Sequence, residues 1–330
     1  MMRRPFRNLM TLAGGYLAVQ GAFAFLFIAS RNVRETLTTQ ENRGFPGSSL
    51  FKTIRYKRYT VTHEIDQGIE RITYTPHERK HETPIVMQHG MWHGAWCWER
   101  WQRILAEHGW QSHAHSLPGH ALSPAQRPIH LCTLDYYLSF LKREIDRCDH
   151  RPILMGHSMG GALAQWAMKY VDDALPAVVL VGPWASHSVL DTSLDITVTN
   201  FWNLIIETSL TWSASCWVNS PERAAEALIS ANADITPEDL YARLGPESAL
   251  VLLQHNPPFW TPADQVRSPV LLVAGALDKV CPAKYMETTA RHYRADYFVD
   301  PNSGHNLMMD GDFAGTGLKI HEWLEAQTLP

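Results

Sequence analysis

The sequence predicts an α/β fold: a mostly parallel sheet with helices on both faces and a helical segment inserted late in the chain. Three observations carry this. From about Tyr56, apolar runs of strand length alternate with longer segments of helical spacing. One of those strands runs through a glycine-rich turn directly into a helix. The alternation lapses between Ser186 and Pro262 and then resumes.

Taken in order, residues 58–63 and 71–75 are rich in β-branched and aromatic residues and predict an opening hairpin. Residues 84–88 (PIVMQ) predict a strand, followed by a helix around 98–108. Residues 112–116 read as a strand and 134–147 as a helix. Strand 152–155 leads into helix 159–170. Strands at 177–181 and 269–274, a helix at 283–292, a short strand at 297–299 and a helix at 316–327 complete the pattern. Such alternation favours parallel pairing with both faces covered. The stretch 186–262 carries Trp202, Trp212, Trp217 and Trp260 among Leu and Ile. It reads as a helical cap dividing the core into 56–185 and 263–330.

The chain has 330 residues, 45% of them hydrophobic, enough to bury one large core. Charged residues are 19% and aromatics 10%, unlike long disordered chains. Lys+Arg is 29 against Asp+Glu 33, a net charge of -4, without the clustered basic surface that nucleic-acid binding needs. The cysteines, Cys97, Cys132, Cys148, Cys216 and Cys281, show no C-x-x-C spacing, which argues against a zinc ribbon or redox motif. They read as small buried hydrophobes with free thiols, one disulfide remaining open in an oxidising compartment. Oligomeric state is not legible.

Residues 9–30 (LMTLAGGYLAVQGAFAFLFIAS) are mostly apolar, with Gln20 the only strongly polar residue. Arg3, Arg4 and Arg7 precede the run; Arg31 and Arg34 follow it. Its length suits a hydrocarbon core of roughly 30 Å and exceeds the about 7–15 apolar residues of a signal peptide. Residues 1–31 are therefore expected to be a transmembrane anchor giving membrane association. The flanking charges slightly favour export of the globular domain that follows. A cleaved signal, leaving a secreted or periplasmic protein, is one alternative; a helix packed on the protein itself is another. Residues 32–55 read as a linker, so a chain lacking residues up to about Ser48 is expected to be soluble and active.

The chemistry centres on Gly156-His157-Ser158-Met159-Gly160, a G-x-S-x-G preceded by a strand and followed by a helix. A nucleophilic serine belongs on such a sharp turn, where its hydroxyl projects above the sheet and the helix N-terminus faces a developing oxyanion. Two backbone N–H donors should hold that oxyanion: Met159, after the serine, and Met91, in the loop His89-Gly90-Met91-Trp92-His93-Gly94. His89 and His93 are four apart, but the glycines at 90 and 94 argue against a helical metal site. His113, His115 and His120 read as ordinary satisfied histidines. Asp278 follows the strand PVLLVAG, and His305 follows the short strand near 297–299. The order Ser158, Asp278, His305 suits a triad in which His305 takes the serine proton and Asp278 fixes its tautomer. Asp300 is the rival acid, and Asp310 reads as solvated. Trp92 and Trp96 are expected to shape an apolar substrate pocket with the cap aromatics.

These motifs resemble the α/β-hydrolase superfamily over about Tyr56 to Thr328. HGMWHGAWCW is similar to the corresponding loop of plant-type methylesterases and hydroxynitrile lyases, and GHSMGG to the turn of many esterases, lipases and C–C bond hydrolases. LPGHALS is similar to the family's turn after the next strand, with Ala121 where glycine is common. The resemblance implies an eight-stranded, mostly parallel sheet, a cap after the sixth strand and a mechanism without cofactor or metal. Asn306 stands where hydroxynitrile lyases carry lysine, which argues against cyanohydrin chemistry; Ser158 stands where dehalogenases and epoxide hydrolases use Asp. The expected activity is hydrolysis of a small to medium apolar carboxylic ester through an acyl-enzyme. C–C or thioester cleavage by the same triad, or a ligand-binding receptor with little turnover, are the alternatives.

Overall fold

The computed structural model describes residues 15, 18–38, 50–190 and 201–329, without the side chains of 201–205. Nine strands form one sheet: β1 (Phe51–Arg55), β2 (Tyr59–Asp66), β3 (Ile69–Pro76), β4 (Ile85–Gln88), β5 (Ser112–His115), β6 (Ile153–His157), β7 (Val178–Val181), β8 (Val270–Gly275) and β9 (Asp296–Asp300). Their spatial order is β1-β2-β3-β5-β4-β6-β7-β8-β9. The first three strands and the β3–β5 pair are antiparallel; every pairing from β5 to β9 is parallel. The mostly parallel sheet is as predicted, and β1 adds a ninth strand at its edge.

Helices α1 (18–29) and α2 (Val33–Thr38) precede the sheet. α3 (Glu99–Glu107), α4 (Leu134–Asp146) and α5 (Met159–Tyr170) lie between its strands. Between β7 and β8 come α6 (Phe201–Thr211), α7 (Pro221–Leu228), α8 (Pro237–Tyr241) and α9 (Leu250–Gln254), within the stretch read as a cap. Residues 191–200 of that stretch lie outside the described residues. α10 (Ala283–Tyr293) and α11 (Phe313–Glu325) complete the chain. Successive strand residues point to opposite faces, yet β4, β6, β7 and β8 are buried at every position, so both faces of the central sheet are covered. Local chemistry sets the helix starts. Ser220 Oγ accepts the Arg223 N–H at the head of α7, Thr236 Oγ1 accepts the Asp239 N–H at the head of α8, and each helix has proline in its first position.

The N-terminal run corrects an expectation. Among the described residues no helix is long and apolar enough to cross a membrane. The transmembrane anchor, the membrane association through residues 9–30 and the localisation drawn from them are therefore not supported. Instead α1 packs on the inserted segment. Ala24 and Ile28 are buried with Leu250, and the Phe25 ring lies 4.9 Å from that of Phe259. Arg31, read as a flanking charge, reaches the buried Asp135 on α4: its Nε and Nη2 donate to Oδ2 at 3.0 and 2.8 Å. Thr36 Oγ1 donates to the same oxygen at 2.7 Å, and Gln254 Nε2 to Oδ1 at 3.0 Å. Burial raises the Asp135 carboxyl, but the bonds and charge of Arg31 outweigh it and hold the group below its ordinary value. Of the residues read as a linker, 39–49 lie outside the described residues; the remainder includes α2 and β1.

Candidate active site

The parallel strands deliver the chemistry at their C-terminal ends, where α/β sheets bind ligands. β6 ends at His157 and α5 begins at Met159, so Ser158 alone makes the turn, at φ 53 and ψ -118. An L-residue in such a region carries strain of about 1–3 kcal/mol, held only by its surroundings. Here the Ser158 N–H donates to Val181 O at 3.0 Å, and Ser158 O accepts the Ala162 N–H at 3.0 Å. Two glycines make the turn possible. A Cβ on Gly156 would stand 2.2 Å from Gly160 O, and one on Gly160 would stand 2.2 Å from Gln88 O. The loop after β4 also passes close, since a Cβ on Gly90 would lie 2.9 Å from the Ser158 Cβ.

Asp278 follows β8 and His305 follows β9. Their side chains meet in full burial, His305 Nδ1 to Asp278 Oδ2 at 2.8 Å. The second carboxylate oxygen, Oδ1, accepts the N–H groups of Val280 and Cys281, both at 2.8 Å. The imidazole therefore carries its proton on Nδ1, leaving Nε2 free to act as a base. Asp300 does not face His305; it accepts from the Asn302 N–H, Ser303 Oγ and Thr316 Oγ1. Asp310, read as solvated, is fully buried. Its Oδ2 accepts the Gly304 N–H at 2.8 Å and the Ser230 N–H at 2.6 Å, bracing the loop that carries His305. A short polar stretch looks alike in sequence whether it meets water or backbone donors.

Buried neutral histidines fix the surrounding loops. His93 Nδ1 donates to Met91 O at 2.6 Å, and its Nε2 accepts from Asn306 Nδ2 at 3.0 Å. His89 Nδ1 donates to Gly90 O at 2.7 Å while Nε2 accepts the Leu117 N–H at 3.0 Å. His157 Nε2 donates to the His305 carbonyl at 3.0 Å, tying the serine's turn to the histidine's loop. Burial, with neighbouring histidines, pushes His89 and His157 well below the ordinary range and His93 to about 4. Burial brings His115 and His255 to about 4 as well. Among the described residues no three His, Cys, Asp or Glu side chains are grouped to hold a metal ion.

These depressed values predict acid lability. An unfolded histidine protonates near 6.5, whereas the buried His93, His115 and His255 resist until about 4. Their contribution is complete above 6.5 and is lost as pH falls toward 4, because only the unfolded chain takes up protons in that window. Each histidine then removes up to roughly 1.4 kcal/mol per pH unit. Thermal unfolding at pH 7, 6 and 5 checks this: Tm should fall stepwise, and a flat Tm would mean that the folded protein protonates these rings too.

A cavity of about 840 Å³ opens above Ser158. Met91 and Trp92 line it beside Trp184, and the inserted segment contributes Trp212, Trp217 and Leu250. Trp92, at φ 64, also clamps that segment: its Nε1 donates to Ala214 O at 3.2 Å, and its carbonyl accepts the Gly245 N–H at 2.7 Å. Trp96 is not among the lining residues. Its ring stacks on His93 at 5.3 Å, with the Arg243 guanidinium 5.5 Å from its centroid, so packing is its observed role. Sequence reasoning missed the contribution of α1, whose Gln20, Gly21, Ala24 and Phe25 also line the cavity. The one available signal was Gln20, a polar residue out of place in an apolar run.

The sequence model of the Alpha/beta hydrolase family matches residues 85–314, and the chain belongs to that family. Methylesterase 2 of Arabidopsis thaliana is 28% identical over 106 residues, 32% of this chain and 40% of its own length. A probable esterase of Oryza sativa subsp. indica, PIR7A, is 27% identical over 165 residues, 49% of this chain and 61% of its own. In both, the match spans less than two thirds of the relative. A thermophilic esterase from Thermogutta terrifontis superposes with a TM-score of 0.61 at 18% identity, covering 84% of this chain and 98% of that one. A membrane phospholipase A gives 0.59 at 16% identity, covering 98% of both chains. At such identities the solved structures are similar in fold alone.

Proposed function

We propose that the chain hydrolyses a carboxylic ester through an acyl-enzyme. The observation that carries this reading is the buried 2.8 Å pair of His305 and Asp278, on a loop that His157 Nε2 ties at 3.0 Å to the strained turn of Ser158. Ser158 attacks the ester carbonyl while His305 Nε2 takes its proton. The tetrahedral oxyanion is held by the N–H groups of Met91 and Met159. His305 then protonates the leaving alcohol, and the acyl-enzyme is cleared when His305 deprotonates a water. Asp278 keeps the Nδ1 proton in place and stabilises the imidazolium. The apolar walls around Trp92, Trp184 and Leu250 suit an apolar substrate, and the methylesterase and esterase names of the relatives support ester chemistry.

A fluorophosphonate probe applied to the full chain, followed by p-nitrophenyl ester assays, tests the reading. Labelling at Ser158 together with ester turnover is expected. Labelling without turnover would shift the reaction to C–C or thioester cleavage or to a receptor; no labelling would remove Ser158 as nucleophile.

A further inference from the structure

Helix α1 forms part of the wall of the cavity that holds Ser158. Gln20, Gly21, Ala24 and Phe25 line it, and their spacing places them on one helix face. That face is seated from outside the active-site core. Ala24 and Ile28 bury against Leu250, Phe25 meets Phe259, and Arg31 ties the following turn to Asp135. Leu250 and Leu253 line the same cavity, so α1 and α9 continue one apolar surface.

Gly21 is the telling position. A glycine inside a helix is less favourable than alanine by about 1 kcal/mol, yet among the described residues a Cβ here would meet nothing within 4 Å. Packing against the described residues does not require the missing side chain, and Gly21 adds room on the face that lines the cavity. Beside it, the Gln20 amide makes no hydrogen bond among the described residues. The cavity's volume of about 840 Å³ also exceeds the needs of a methyl or acetyl ester, and burying each further methylene of a substrate is worth about fourfold in binding.

We propose that this face of α1 is a specificity-determining wall, and that the gap at Gly21 accommodates the far part of an elongated aliphatic acyl chain whose ester carbonyl sits at Ser158. The proposal rests on the ester-hydrolase reading above and assigns its substrate class. The N-terminal helix is then part of the substrate site, and a chain cut near Ser48 loses one wall of it.

The test uses the full chain and p-nitrophenyl acetate, butyrate, octanoate and dodecanoate. Wild type should favour the longer esters in kcat/KM. Gly21→Leu should lower the ratio of kcat/KM for dodecanoate over acetate by about tenfold, the loss of somewhat under two buried methylenes. Phe23→Ser, on a residue 60% exposed and outside the lining, should leave the ratio as in wild type. If Gly21→Leu does not fold, Gly21→Ala, which favours the helix, should lower the ratio by about fourfold. Absence of turnover of every ester by wild type would sink the hydrolase reading itself. Ester turnover with a preference for acetate, or an unchanged ratio in the Gly21 variants, would overturn the wall while leaving that reading intact. A Phe23→Ser shift as large as that of Gly21→Leu would also overturn it, since the effect would then come from seating the helix.

Discussion

Ser158→Ala is expected to lower ester turnover by about 10⁶-fold, because removal of the nucleophile leaves only oxyanion stabilisation and binding. Fluorophosphonate labelling should vanish with it. Near-wild-type turnover would show that another group attacks. The same position makes a second, independent expectation. Ser158 sits at φ 53 and ψ -118, a conformation that alanine resists as serine does and glycine adopts freely. Ser158→Gly should therefore be as inactive as Ser158→Ala yet more stable, by about 1 kcal/mol once the greater chain entropy of unfolded glycine is set against the released strain. Denaturant unfolding of the two variants compares them directly. Equal stability would mean that the turn is not strained, and the elbow would lose its physical rationale.

Asp278→Asn is expected to cost about 10⁴-fold in kcat with little change in fold. The reason lies in what holds each oxygen. Oδ1 accepts two loop N–H groups, from Val280 and Cys281, so an amide at 278 must present its carbonyl there. Its NH₂ then faces His305 Nδ1, and the imidazole is forced to accept on Nδ1 and carry its proton on Nε2, where it cannot receive one from Ser158. Asp300→Asn is the matched control. Asp300 binds Ser303, Thr316 and the Asn302 N–H rather than His305, and the two hydroxyls can reorient, so the variant should lose some stability while kcat stays near wild type. Equal losses of kcat at 278 and 300 would sink the assignment of Asp278.

The serine's turn was readable because its requirements are local. A strand, glycines on either side of one serine and a helix follow one another within a few residues, and the close contacts of Gly156 and Gly160 explain why no larger residue serves. The strands were readable for a similar reason: unbroken apolar runs are what a sheet covered on both faces demands. Its place at the end of a strand made Asp278 the proposed acid, with Asp300 as its rival near His305. Only the folded contacts, Asp278 on His305 and Asp300 on Ser303 and Thr316, separate the two. Trp96 and Trp92 sit in the same short loop, and nothing local says that one ring lines the cavity while the other packs on His93.

By itself, then, the sequence determined the alternating α/β pattern and the glycine-flanked turn around Ser158, both of which follow from short-range backbone chemistry. The tertiary structure alone decided where α1 lies. An apolar run needs an apolar surface, and hydropathy does not say which one. Its partners, Leu250 and Phe259, lie far along the chain, and Arg31 meets Asp135 104 residues away. Those long-range contacts make the N-terminal helix a wall of the cavity around Ser158.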